Sequence, residues 1–143
     1  MFFKTFEFEF ETRRLMWYCP YGGSDFAEVQ STTEKIKEKN YESWYAEWYK
    51  VGTKLIQKNF NSSISKGKAY LRASRYFQAA EFFLSPKDNR KLDCYELSVD
   101  YFYKGLDLLS ISYELKEVPF EDYSLRTLFF KTNQTPKGTL FIC

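Results

Sequence analysis

LDCYELSVDYFYKGLDLLSISYELKEVPF, residues 92–120, contains the change of period on which the fold turns. In its first part Leu92, Tyr95, Val99, Phe102, Leu106 and Leu109 recur every three or four residues, the spacing of one helix face. From Ile111 the period falls to two. Tyr113 to Phe120 alternates in strand fashion, Glu121-Asp122-Tyr123-Ser124 reads as a turn, and Leu125 to Lys131 reads as a second strand. Pro119 has no N–H to give to a ladder, which assigns the first of these strands to an edge or a bulge. Helices followed by a strand meander divide a chain into two structural units.

Upstream of this stretch, Ser85-Pro86-Lys87-Asp88-Asn89 is turn chemistry that closes off a longer helical segment over residues 64–84. There Tyr70, Ala73, Phe77, Ala80 and Leu84 share one face, and Ala69, Tyr76 and Phe83 widen it, so this helix is expected to pack on two sides. Before it, Trp44, Trp48, Val51 and Leu55 mark a helix from about 41 to 59. Asp25 and Glu28, after Gly22-Gly23, resemble a capping box that opens a helix over 25–38 bearing Phe26, Val29, Thr33 and Ile36. At the amino terminus Phe6, Phe8 and Phe10 alternate with Glu7 and Glu9, the period of a half-buried strand.

At the other end, 133–138 reads as a surface loop and Thr139-Leu-Phe-Ile-Cys143 as a buried strand within which the sequence stops. The layout expected from the residues is therefore α+β and mainly α. An amino-terminal strand segment (1–22) precedes a four-helix unit of helical hairpins (23–110), and the first strands of an incomplete antiparallel sheet follow (111–143).

Composition excludes several classes of function. The charges nearly cancel, 21 Lys and Arg against 19 Asp and Glu, and no basic run interleaves with the aromatics, so nucleic acid is not an expected partner. No apolar stretch approaches the ~20 residues that span a bilayer, and no signal-peptide core opens the chain. Neither a membrane nor an exported location is expected, which leaves the cytoplasm. Cys19, Cys94 and Cys143 have no paired spacing, which argues against a disulfide framework or a zinc site. The chain has no histidine, so a Ser-His-acid centre cannot be assembled from it alone, and no cofactor or metal is expected.

Three blocks carry a resemblance. They are Gly23-Ser-Asp-Phe-Ala-Glu-Val, Glu42-Ser-Trp-Tyr-Ala-Glu-Trp, and Ala69-Tyr-Leu-Arg-Ala-Ser-Arg-Tyr-Phe-Gln-Ala-Ala-Glu-Phe-Phe. Taken in order they resemble the amino-terminal helical segment of α/β-hydrolases of the fermentation-respiration switch esterase, 2,6-dihydroxypseudooxynicotine hydrolase and dipeptidyl-aminopeptidase-like group. The resemblance implies a helical cap over a serine-hydrolase site, followed by the opening antiparallel strands of the core. It also implies an ester or amide as the substrate of the intact enzyme and contacts that support a homo-oligomer. The nucleophile elbow, acid and histidine of that fold would lie beyond Cys143, so the chain is expected to be truncated before its catalytic core and inactive by itself.

Trp44, Tyr45 and Trp48 could wall a substrate pocket with Glu47 as a polar anchor, or serve as helix-packing core, since Trp44 and Trp48 share the stripe of Val51 and Leu55. Tyr70, Arg72, Arg75 and Tyr76 could hold an acidic group, or form a solvated helix face with ion pairs. Ser63-x-x-Lys66 and Ser65-x-x-Lys68 match an acyl-transferase spacing that two residues meet by chance. Two other readings compete with the cap. One is a tetratricopeptide-like interaction module built on the run from Ala69 to Phe83, against which no second copy stands at a period of ~34 residues. The other is a stand-alone ligand-binding domain.

Overall fold

The computed structural model describes residues 1–132 and 134–140. Five helices come first: α1 (Phe6–Trp17), α2 (Phe26–Thr33), α3 (Tyr41–Gln57), α4 (Ser63–Glu81) and α5 (Asn89–Leu108). A 3₁₀ turn, Cys19–Tyr21, joins α1 to α2. Two strands follow, β1 (Glu114–Phe120) and β2 (Tyr123–Phe129). The chain divides into two compact units, Met1–Leu109 and Ser110–Cys143. Among the described residues no helix is long and apolar enough to cross a membrane.

Helix starts follow the capping signals in the sequence. Asp25, Asn40, Ser62 and Asp88 each sit in extended backbone and accept a hydrogen bond from an amide of the following first turn. α4 is the central helix, and its buried face of Ala69, Ala73, Tyr76, Phe77 and Ala80 packs between α3 and α5 as the two-sided pattern requires. The α4–α5 contact is close because glycines meet there. A Cβ on Gly105 would stand 2.7 Å from Leu71 Cδ2, and one on Gly67 would stand 3.1 Å from Leu108 Cβ. Ser74 Oγ donates to the carbonyl of Ser98 across the same seam at 2.7 Å.

Part of the aromatic surplus builds the core, and a larger part is exposed. Phe8 packs edge-on to Phe3 at 5.4 Å and lies 4.7 Å from Trp44 and 5.3 Å from Phe83, centroid to centroid. Trp44 contacts Trp48 at 5.8 Å, and Trp48 stacks on Tyr76 at 5.5 Å. Such pairs add about 0.5–1.5 kcal/mol each beyond the area they bury.

The amino-terminal strand expected from Phe6, Phe8 and Phe10 is not present, and α1 runs through it. A helix puts Phe8 on the face opposite Phe6 and Phe10, which stack on each other at 5.8 Å: Phe8 is fully buried while Phe6 is 75% and Phe10 43% exposed. The period that matters is Phe8, Thr12 and Leu15, which face the core. A strand needs a ladder partner, and the one sheet among the described residues is β1–β2; a helix satisfies its backbone internally. Acidic side chains complete the accounting at its start. Glu9 accepts from the amides of Phe2 (2.7 Å) and Phe3 (3.0 Å), and Glu38 from those of Lys4 (3.0 Å) and Thr5 (2.8 Å).

The cleanest helical pattern in the sequence also needs correction. α5 forms, but the stripe of Leu92, Tyr95, Val99 and Phe102 is not its buried face: Leu92 is 59% and Tyr95 58% exposed. Of the expected stripe the helix buries Leu106, together with Cys94, Ser98 and Gly105, which lie outside it. Residues 23–110 hold four helices, α2 to α5, as expected; α1 is added in place of the amino-terminal strand, and among the described residues the expected meander is a two-stranded hairpin. In that hairpin Glu114 pairs with Phe129 and Phe120 with Tyr123, antiparallel, with Glu117 opposite Arg126. Thr139 and Leu140 lie outside any strand, and the rest of the third strand expected at 139–143 falls outside the described residues.

Candidate functional site

A groove of about 430 Å³ opens on the helical unit between the end of α1 and the α4–α5 pair. One wall is Tyr18, Tyr21 and the Gly22-Gly23 turn. That turn needs its glycines: Gly22 adopts φ 78°, and a Cβ on Gly23 would come within 3.1 Å of Tyr18 Cβ. The floor comes from α4, where Leu71, Ser74, Arg75 and Gln78 share one face at helical spacing, and the far wall from Val99, Phe102 and Tyr103 of α5. The α5 stripe that periodicity assigns to the core therefore contributes Val99 and Phe102 to this groove.

Arg75 lies against the ring of Tyr18 at 4.1 Å and donates through Nη1 to Gln78 Oε1 at 2.5 Å. The hydroxyls of Ser74 and Ser98 are both committed to backbone carbonyls, and Arg75 and Gln78, bonded to each other, are neighbours on the groove floor.

The other residues singled out in the sequence go elsewhere. Trp44 and Trp48 are fully buried, and Trp44 Nε1 donates to the carbonyl of Ala79 at 2.7 Å; they are core. Tyr45 is half-buried, stacked on Tyr49 and covered by the guanidinium of Arg90 at 4.5 Å. Burial first, and then neighbouring ionisable groups, push its phenol above the ordinary value. Glu47 is half-buried on the same helix. Tyr70 packs edge-on to Tyr101 at 4.9 Å with Lys66 over its ring.

Arg72 and Tyr76 do converge on a carboxylate, but it is internal. Arg72 forks onto Glu28 at 2.8 and 2.9 Å, and the Tyr76 hydroxyl donates to Glu28 Oε2 at 2.8 Å while accepting from the amide of Asp25 at 3.0 Å. Burial, and then the adjacent Glu28 charge, raise the Tyr76 phenol well above its ordinary value, so it stays a donor. Burial opposes the charge on Arg72, yet the Glu28 hydrogen bonds prevail and raise its pKa. The pair ties α2 to α4. Asp25 accepts from the Glu28 amide at 3.1 Å as a capping box requires, but Tyr76 replaces the reciprocal arm.

Of the eight residues, then, Arg75 alone faces the groove. Tyr18, Gln78 and Tyr103 were not singled out by their pattern, and Phe102 only as a member of the α5 stripe; the Gly22-Gly23 turn follows Tyr18 in the chain and lines the same wall.

The described residues define a mainly helical α+β protein that has a groove, no histidine, and no group of three or more potential metal ligands among them. Comparison with known proteins places it among hydrolase relatives. It is 38% identical over 121 residues to a hydrolase of a Fusarium species, covering 80% of this chain and 29% of that protein. It is 34% identical over 128 residues to an alpha/beta hydrolase of Aspergillus fumigatus (83% and 29%), and 34% identical over 122 residues to the 20-hydroxy-prefusarin hydrolase of Gibberella moniliformis (80% and 29%). No protein-family model matches the chain. The relatives support an α/β-hydrolase-related family, and the chain spans about 29% of the length of the curated relatives it matches.

Proposed function

We propose that the chain is the cap portion of an α/β-hydrolase of serine type, in which the helical unit shapes the pocket that receives an ester or amide substrate. The relatives carry this reading: 80% or more of the chain aligns with proteins named hydrolase, yet covers under a third of each. The chain also has no histidine to act as general base. In this reading the groove between Tyr18 and Phe102 contributes to substrate selection, β1 and β2 open the hydrolase sheet, and the exposed aromatics of α1 support self-association.

A chimera tests the proposal. The segment of the Fusarium relative that aligns with this chain is replaced by it, and hydrolysis of an ester panel is compared among chimera, relative and the 143-residue chain alone. The isolated chain should show no turnover, and the chimera should hydrolyse esters with an altered order of preference. A folded, active chimera whose preferences equal those of the parent would overturn the cap role. Turnover by the isolated chain would overturn the assignment of catalysis to the remainder.

A further inference from the structure

We infer that the groove is a binding site for a flat organic monoanion, a carboxylate carried on an aromatic or conjugated body, with Arg75 as its counter-charge. Arginine pairing across the helical unit carries the inference. Four of its five arginines are bonded to carboxylates: Arg13 to Glu9, Arg14 to Glu11, Arg72 to Glu28, and Arg90 to Glu42 and Asp88. Among the described residues Arg75 has no carboxylate partner, and its polar partner is the neutral amide of Gln78. Glu11, which shares a small neighbouring notch with it, is held by both oxygens on Arg14 at 2.9 Å. A guanidinium remains charged at any physiological pH, and a half-buried one is ordinarily paired.

Arg75 is the sole charged residue lining the groove. Stacking on Tyr18 occupies one face of the guanidinium and leaves N–H edges beyond the one given to Gln78, which is the fork geometry that takes a carboxylate. Around this single cation the walls are apolar and aromatic: Tyr18 and Tyr21 on one side, Phe102 and Tyr103 on the other, Leu71 and Val99 between. One cation at one end of an aromatic slot suits a monoanion with a planar apolar body and gives little to a phosphate dianion, which needs several donors. The volume of about 430 Å³ falls within the ~300–1,000 Å³ range of small-molecule sites. The inference rests on the groove alone and holds whether or not the hydrolase reading does.

The test is an NMR titration of the 143-residue chain with trans-cinnamate and its neutral isostere trans-cinnamamide, following the Nε–Hε resonance of Arg75. Cinnamate should bind saturably, shift that resonance, and bind at least about tenfold more tightly than the amide. Arg75→Gln should abolish the preference, Arg75→Lys should keep the preference at reduced affinity, and Arg13→Gln should change neither. Equal affinity for acid and amide, absence of saturation, or undiminished cinnamate binding by Arg75→Gln would overturn the inference. Should Arg75→Gln fail to fold, the acid-to-amide ratio of the wild-type chain and of Arg75→Lys decides the matter.

Discussion

Cys94 shows how a residue with no visible partner can shape stability. It is fully buried on the α5 face that meets the core, and burial first, then the nearby Glu81 carboxylate, push its thiol up from 9.0 to about 11. The sign follows from which state binds the proton. Above pH 9 the unfolded chain releases this proton while the folded chain keeps it, so the contribution is complete below about 9 and lost as pH rises towards about 11. Urea melts of the wild type and Cys94→Ala should differ by a constant amount up to pH 9. The gap should then narrow by up to about 2 kcal/mol by pH 11; a gap that stays constant across that range would contradict the buried, protonated thiol. The same scale explains Glu28. In the sequence it is half of a capping box, and its backbone performs that role, but its carboxylate is claimed by Arg72 and Tyr76, 44 and 48 residues away. Nothing in the local pattern announces that pairing.

At the scale of elements, the α4–α5 seam decides more than either helix does. Gly67 and Gly105 lie where each backbone presses on the other helix. In an isolated helix Gly105→Ala would add about 1 kcal/mol of helix preference. Here the new methyl would stand 2.7 Å from Leu71 Cδ2 and 3.2 Å from the carbonyl of Gly67, and Leu71 is part of the groove floor. Gly105→Ala should therefore destabilise the protein by roughly 1–3 kcal/mol, the range for overpacking a close contact. Thermal unfolding monitored by circular dichroism would show it as a lowered Tm, and a raised Tm would mean that the helices separate without cost. This seam is also why the apolar stripe of α5 was misread. Helical period identifies the element, but the choice between its two candidate faces depends on which one a neighbour can approach, and small residues allowed the Cys94–Ser98–Gly105 face to come closest. The larger residues of the expected stripe, Val99 and Phe102, were turned towards the groove.

For the molecule as a whole, the division at Leu109 separates a unit that carries the buried core from one in which no described residue is buried. The hairpin exposes Leu115, Val118, Phe120, Tyr123 and Leu125, each between 46% and 56% accessible, and an isolated two-stranded hairpin is marginal in water. Hydrogen exchange on the intact chain should show amides of α3 and α4 protected to near the global stability and those of β1 and β2 exchanging orders of magnitude faster. Equal protection would mean that the hairpin is covered in solution. The sequence alone determined helices α2 to α5, the cap at Asp25 and the presence of two strands after α5, because each depends on hydrogen bonds and side-chain periods that close within a few residues. It also determined that no histidine-based catalysis resides in these 143 residues. Tertiary structure alone decided that Phe6 to Trp17 is a helix, which face of α5 is buried, where Glu28 finds its partners, and that Arg75 stands in an aromatic groove with no carboxylate partner among the described residues. Each of these depends on what a distant segment offers in burial or charge, and that free energy does not exist until the segments meet.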